Sequence, residues 1–155
     1  MTTPGQLNAS PLQLLEHFFE EINLVANQIG ESEGSSTLFT ERSVLDHPED
    51  DHQFKLDLCV NLGSENDEHP AAYTGRIRIV GVFAVSPKYK GDLRQLILVT
   101  GSSILFGACR EMIANFTARS SHGMMSLPSV SFIPPPKKKT ARKKITSKKV
   151  FKKKA

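Results

Sequence analysis

The sequence predicts an α+β domain, a four-stranded antiparallel sheet followed by a long helix. Three observations point there. Phe54, Leu56, Leu58, Val60 and Leu62 alternate with Lys55, Asp57, Cys59 and Asn61, the pattern of a strand with one buried and one wet face. Tyr73 to Val85 begins the same way, with Arg76 and Arg78 against Ile77 and Ile79, then turns apolar on both faces through Val80, Val82, Phe83, Ala84 and Val85. Further on, Leu105, Ala108, Met112 and Phe116 recur at three- and four-residue steps, which puts them on one face of a helix. Hairpin-linked strands ahead of a helix indicate an α+β arrangement.

The elements follow in order. Residues 1–10 form a polar lead. Between Pro11 and Ile29 two periods compete. Leu12, Leu15, Phe19, Ile22, Ala26 and Ile29 fit a helix face, whereas Phe18, Ile22, Leu24 and Ala26 alternate as a strand with Glu20 as the misfit. Residues 30–50 are rich in Gly, Ser, Asp and Glu, interrupted by Leu38-Phe39, and Val44 and Leu45 suit a short edge strand. Gln53–Leu62 and Tyr73–Val85 are strands, separated by a polar loop from Gly63 to Pro70. Leu93 to Val99 alternates as a further strand, and Thr100–Ser103 is expected to turn, with Ser102 or Ser103 capping the helix. Gly123 is expected to stop that helix, and Leu127, Val130 and Phe132 form a short apolar run around Pro128.

Composition sets bounds. The chain has 155 residues, enough for one domain and a small core. The net charge of +4 conceals a division. The last 19 residues hold 11 of the 20 Lys and Arg and no acid, leaving 9 basic and 16 acidic groups, a net of −7, in residues 1–136. An electrostatic argument for nucleic-acid binding therefore applies only to the tail. No apolar run reaches the roughly 18 residues of a membrane span, and the opening residues lack a signal sequence, so a cytoplasmic protein without membrane insertion is expected. Cys59 and Cys109 have no metal-ligand or redox spacing and are expected to be free thiols. No Walker loop, GxSxG or HExxH is present, and no enzyme activity, cofactor or metal is expected. The loop Asp46–His52 carries two histidines, but at a spacing that matches no ligand set, so a solvated loop is expected.

The stretch from Ile104 to Phe132 resembles the end of the SecB family of protein-export chaperones. The matching residues are Ile104, Leu105, Phe106, Arg110, Glu111, Arg119, Leu127, Val130 and Phe132. The resemblance extends in order and pattern over roughly residues 10–133. Where the family commonly has Pro-Tyr-Ala, Gly107, Ala108 and Cys109 stand here, and Pro128 lies one place early. The resemblance implies a short turn at 11–16 and a first strand over 17–27. It implies a domain at 11–133, a closing strand at its end, and assembly as a homotetramer, a dimer of dimers. It also implies an ATP-independent holding chaperone that keeps unfolded preproteins competent for translocation in apolar grooves. The family docks to the export motor SecA near the end of the domain; here that end passes instead into a Pro/Lys-rich tail, 134–155. Some relatives guard a single client such as an antitoxin, which is the alternative.

Candidate client-binding residues are Phe54, Leu56, Leu58, Phe83, Val85, Met124 and Met125. Alternation is satisfied equally by a core and by a groove, and Met serves both gap-filling and adaptable binding. Arg110 and Glu111 diverge on a helix and suit a structural salt bridge or cap. The tail residues Lys137, Lys138, Lys139, Arg142, Lys143, Lys144, Lys148, Lys149, Lys152, Lys153 and Lys154 suit an anion tether to nucleic acid, the ribosome or another acidic partner. A nucleic-acid or ribosome-associated module is thus the second alternative.

Overall fold

Four antiparallel strands lie in the order β1-β4-β3-β2, and one helix crosses a single face of the sheet. The computed structural model describes residues 5 and 7–136. The strands are β1 (Leu12–Ala26), β2 (Ser36–Asp46), β3 (Gln53–Ser64) and β4 (Tyr73–Val85). The helix, α1, runs Leu93–Thr117. It comprises an α-turn at Leu93–Leu96, a π segment at Ile97–Gly101 and an α-helix at Ser102–Thr117.

The central pair forms as its pattern requires. Phe54 pairs with Phe83, Leu58 with Ile79 and Val60 with Ile77, so all six point to the face under α1. That face meets Ile97, Leu105, Phe106, Cys109 and Ile113 of the helix in one buried core. Gly81 makes the approach possible. A Cβ there would lie 2.8 Å from Leu105 Cδ2 and 2.8 Å from Phe83 Cε2, closer than carbon atoms can pack.

Several elements differ from expectation. The strand β1 starts at Leu12, where a turn over 11–16 was expected. It carries register shifts between Leu14 and Glu16 and between Phe19 and Glu21. Each inserted residue resets which side chains face the helix. Leu12, Leu14, Phe19, Ile22 and Leu24 therefore oppose Val85, Phe83, Ile79, Ile77 and Gly75, a spacing that breaks the two-residue alternation of a regular strand. Glu20, the misfit of the alternation, sits at the second shift. The strand β2 is 11 residues long rather than a short piece at Val44-Leu45. It is a mostly exposed edge strand, so backbone pairing with β3 defines it more than side-chain pattern.

The segment Leu93–Val99 is helical, not a strand, and the fourth strand of the sheet is β2 instead. An alternating run of Leu, Ile and Val is compatible with either period when it is short. No turn interrupts Thr100–Ser103. The N-cap is Asp92, whose carboxylate accepts the Gln95 N–H at 3.1 Å, and Ser103 Oγ donates to the Val99 carbonyl within the helix. Because these pieces join, α1 is long and apolar enough to cross a membrane, which the sequence read in fragments did not suggest. Its apolar face is instead packed on the sheet. The helix ends at Thr117, six residues before Gly123, which occupies a left-handed turn at φ 77°. No strand forms at 127–132. The buried stripe of α1 is Leu105, Cys109 and Ile113, about a quarter-turn from the expected one, and Phe116 is 52% exposed.

Two thiols are buried, Cys59 on β3 and Cys109 on α1. Burial, with a smaller contribution from Cys59, pushes the Cys109 thiol up to about 12. Its neutral form is favoured in the folded state, so the unfolded chain loses this proton first as pH rises. Stability linked to Cys109 is complete below about pH 8.5 and declines as pH climbs toward the folded value. Urea midpoints taken from pH 8 to 10 are expected to fall more steeply for the wild type than for Cys109→Ala; parallel profiles would contradict this. Gly81→Val is expected to lower stability by about 1–3 kcal/mol through overpacking against Leu105 and Phe83, measured by denaturant unfolding.

Candidate functional site

A groove of about 470 Å³ opens where β2, the first turns of α1 and the segment after the helix converge. From β2 it takes Leu38, Thr40 and Arg42, which face the helix because they pair with Leu62, Val60 and Leu58. From α1 it takes Gln95, Leu98 and Val99. The third wall is the run from Val130 to Pro135. Leu98 and Val99 belong to the π segment, where widening of the helix changes the direction of its side chains.

Arg42 ties the three walls together. Its Nη1 donates to the Leu98 carbonyl at 2.8 Å, and its guanidinium carbon lies 5.0 Å from the centre of the Phe132 ring. That ring meets Phe106 edge-on, with centroids 5.8 Å apart and planes at 72°. Upstream, Arg110 Nε donates to the Leu127 carbonyl at 3.0 Å, and Met125 N–H donates to Thr117 Oγ1 at 2.7 Å. The turn at the helix end is held by Tyr73, whose hydroxyl donates to the Gly123 carbonyl at 2.6 Å, and by His122, whose Nε2 lies 2.6 Å from the Asn27 carbonyl.

Beside the groove runs the outer edge of β2; among the described residues this strand pairs with β3 alone, which leaves a row of backbone donors and acceptors on its other side. An apolar floor next to an open strand edge can hold an extended peptide by side-chain burial and by main-chain hydrogen bonds. Among the described residues, no group of three or more His, Cys, Asp and Glu is placed to hold a metal ion. His47 and His52 lie in the β2–β3 turn, where His47 Nδ1 accepts the Glu49 N–H at 3.1 Å and His52 N–H donates to Asp50.

The sequence-derived candidates fall in different places. Phe54, Leu56, Leu58, Phe83 and Val85 are core residues beneath α1, none more than 6% exposed. Met124 is 67% exposed, and Met125 is half-buried against the core. In the motif, Leu105, Phe106, Leu127 and Phe132 are buried, whereas Ile104 and Val130 reach the surface. Arg110 binds a backbone carbonyl rather than a carboxylate, and Glu111 and Arg119 are exposed. The basic residues of the tail, Lys137 to Lys154, lie outside the described residues. Sequence reasoning missed Leu38, Arg42, Leu98 and Val99. The available signal was the apolar Leu38-Phe39 pair in an otherwise polar stretch.

Among the described residues, no helix or strand packs over the opposite face of the sheet. Phe18 and Val25 of β1 point there, opposite Val80 and Thr74, and are 42% and 49% exposed. Near its centre Arg78 pairs with Asp57 through two nitrogens and reaches Glu20 at 2.9 Å; Arg76 and Glu21 pair at 3.4 Å. The ion pairs with Asp57 and Glu20 hold the Arg78 guanidinium well above its ordinary range, so it stays charged.

No family model and no curated protein sequence matches this chain. Among solved structures, the chain is similar to the Mycobacterium tuberculosis Rv1957 SecB-like chaperone in complex with a ChAD peptide from the Rv1956 HigA1 antitoxin. The TM-score is 0.59 at 16% identity, over 78% of this chain and 88% of that chain. A protein of unknown function from Streptococcus agalactiae matches over 76% of this chain and 96% of its own, with a TM-score of 0.44 and 9% identity. The chain therefore has the fold of a SecB-like chaperone, a four-stranded antiparallel sheet followed by one long helix.

Proposed function

We propose that this chain is an ATP-independent holding chaperone that binds extended segments of unfolded polypeptides and has no catalytic role. The observation that carries this reading is an apolar groove beside a free strand edge, in a fold shared with a SecB-like chaperone solved with a bound peptide. Apolar burial is worth about 25 cal/mol per Å², so a few client side chains gain several kcal/mol without a sequence code. Ordering a flexible client consumes much of that gain. One groove binds weakly, and several on one assembly bind tightly through avidity. A homotetramer fits this requirement. It is supported by surface left unpartnered in the protomer, namely Ile104 and Phe116 on α1 and Phe18 on the open sheet face.

Two client ranges follow from the same site. General preproteins kept competent for export, in the cytoplasm and in reach of SecA, are the range that the motif at Ile104–Phe132 supports. A dedicated client is favoured by the antitoxin peptide held by the structurally similar chaperone. The basic tail adds a separate reading, a tether to nucleic acid or the ribosome through its 11 Lys and Arg.

Purified full chain is expected to suppress aggregation of a chemically unfolded test protein at stoichiometric amounts without nucleotide; no suppression would sink the proposal. Leu98→Asp places a charge in the groove and is expected to weaken client binding about ten-fold or more, with Leu38→Asp as the second variant if the helix does not tolerate the change. Removing residues 137–155 is expected to leave client holding intact and to abolish any RNA binding, which in the full chain declines steeply with salt. RNA binding that survives the truncation would disprove the tether.

A further inference from the structure

The segment that follows the helix turn lines the groove without joining the sheet. It runs without regular secondary structure from Met124 to Pro136, with a bend at Ile133. Among the described residues, no backbone–backbone hydrogen bond joins it to the rest of the domain. It is seated by side chains at two points. Leu127 is 3% exposed, and Phe132 is 9% exposed in the socket between Phe106 and Arg42. Between and beyond these anchors the contacts are loose: Val130 is 37% exposed and Ile133 70%. Among the described residues the outer edge of β2 remains unpaired, although side chains of β2 and this segment line the same groove. A fixed wall of a fold is commonly secured by a backbone ladder; this one is held by two apolar anchors separated by four residues and by two side-chain hydrogen bonds to its main chain, from Arg110 Nε to the Leu127 carbonyl and from the Met125 N–H to Thr117 Oγ1.

We propose that Leu127–Phe132 is an internal ligand of the groove, which a client must displace. This rests on the chaperone reading and names the chemistry of the client: an extended segment that offers a Leu-like side chain and, five residues later, an aromatic ring to the socket formed by Phe106 and Arg42. The ring would be held as Phe132 is held, by an edge-on aromatic contact and a stacked guanidinium. The free edge of β2 then gives the client main-chain bonds that the internal segment does not make, and this difference allows a client to win the exchange.

The chain contains no tryptophan, so Phe132→Trp provides a single emitter in the socket. A synthetic peptide of residues 124–136 is the probe, compared with the same peptide carrying alanine in place of the phenylalanine. The intact peptide is expected to shift the emission of the F132W protein to longer wavelength and to saturate; the alanine peptide is not. The F132A protein is expected to bind the intact peptide about ten-fold more tightly than the wild type, because the competing segment no longer occupies the site. Leu127→Ala gives the same direction through the other anchor and serves if F132A does not fold. Equal or weaker binding by both variants identifies the segment as a fixed wall and overturns the proposal. An unfolded client that binds the wild type without moving the F132W emission also overturns it, leaving the chaperone reading intact. If the peptide displaces the segment but no unfolded client binds, the internal-ligand assignment stands and the chaperone reading fails.

Discussion

The rest of the architecture depends on the contact between Leu105 and the bare backbone at Gly81. On the helix-facing side of the sheet, Phe54, Leu56, Leu58, Ile77, Ile79 and Phe83 fill the space beneath α1. The absent side chain at Gly81 leaves the single gap into which the helix can drop. Gly101 allows a second close approach, because a Cβ there would sit 3.1 Å from Leu56 Cδ2. These two glycines fix the height of α1 above β3 and β4 and so bring its π segment alongside β2. The groove is what remains between that segment and the edge strand. Its existence is a consequence of core packing, even though none of its walls belongs to the most buried residues.

Legibility in the sequence followed the strength of the local pattern. The strands β3 and β4 lie at the centre of the sheet and alternate over their helix-facing sides, and both were plain. The strand β1 was ambiguous for a definite reason. Two register shifts break its alternation, so a strand left an apolar pattern with steps of two, five, three and two. The strand β2 is exposed and polar, with a backbone ladder to β3 as its main support, and a backbone ladder leaves no trace in residue type. Leu93–Val99 failed in the opposite direction. Its leucines and isoleucine satisfied a two-residue period while the N-cap at Asp92 lay unread before it. The groove inherits both failures, since it is formed by β2 and by this turn of α1. The closing motif was visible as a set of residues, but its role was not. Leu127 and Phe132 look like strand residues and are anchors of a segment that pairs with nothing.

The two faces and two edges of the sheet are treated differently. The face under α1 is dry. The other is kept soluble by the Arg78, Asp57 and Glu20 cluster and by Arg76 with Glu21, set among Phe18, Val80 and Val82. At one edge β1 carries Glu16, Glu20, Glu21 and two bulges, features that discourage unplanned strand addition. At the other edge β2 has a flat, regular ladder without register shifts. A regular edge beside an apolar groove is the better template for an incoming strand. In the proposed role the asymmetry assigns peptide capture to the β2 side and leaves β1 and the open face for assembly.

In the proposed role, a groove apolar enough to hold unfolded chains is also an aggregation hazard between encounters. Covering it with a strand of the same domain would solve that problem and abolish the function, because a full backbone ladder is costly to break. Covering it without a backbone ladder is a compromise. Phe132 and Leu127 shield the most apolar part of the surface, while the segment between them keeps few ties to the body. The prolines at 134–136 support the same arrangement, since proline cannot donate to a ladder and so cannot complete a strand against β2. Directly beyond them begins the basic tail, whose charge opposes the net −7 of residues 1–136.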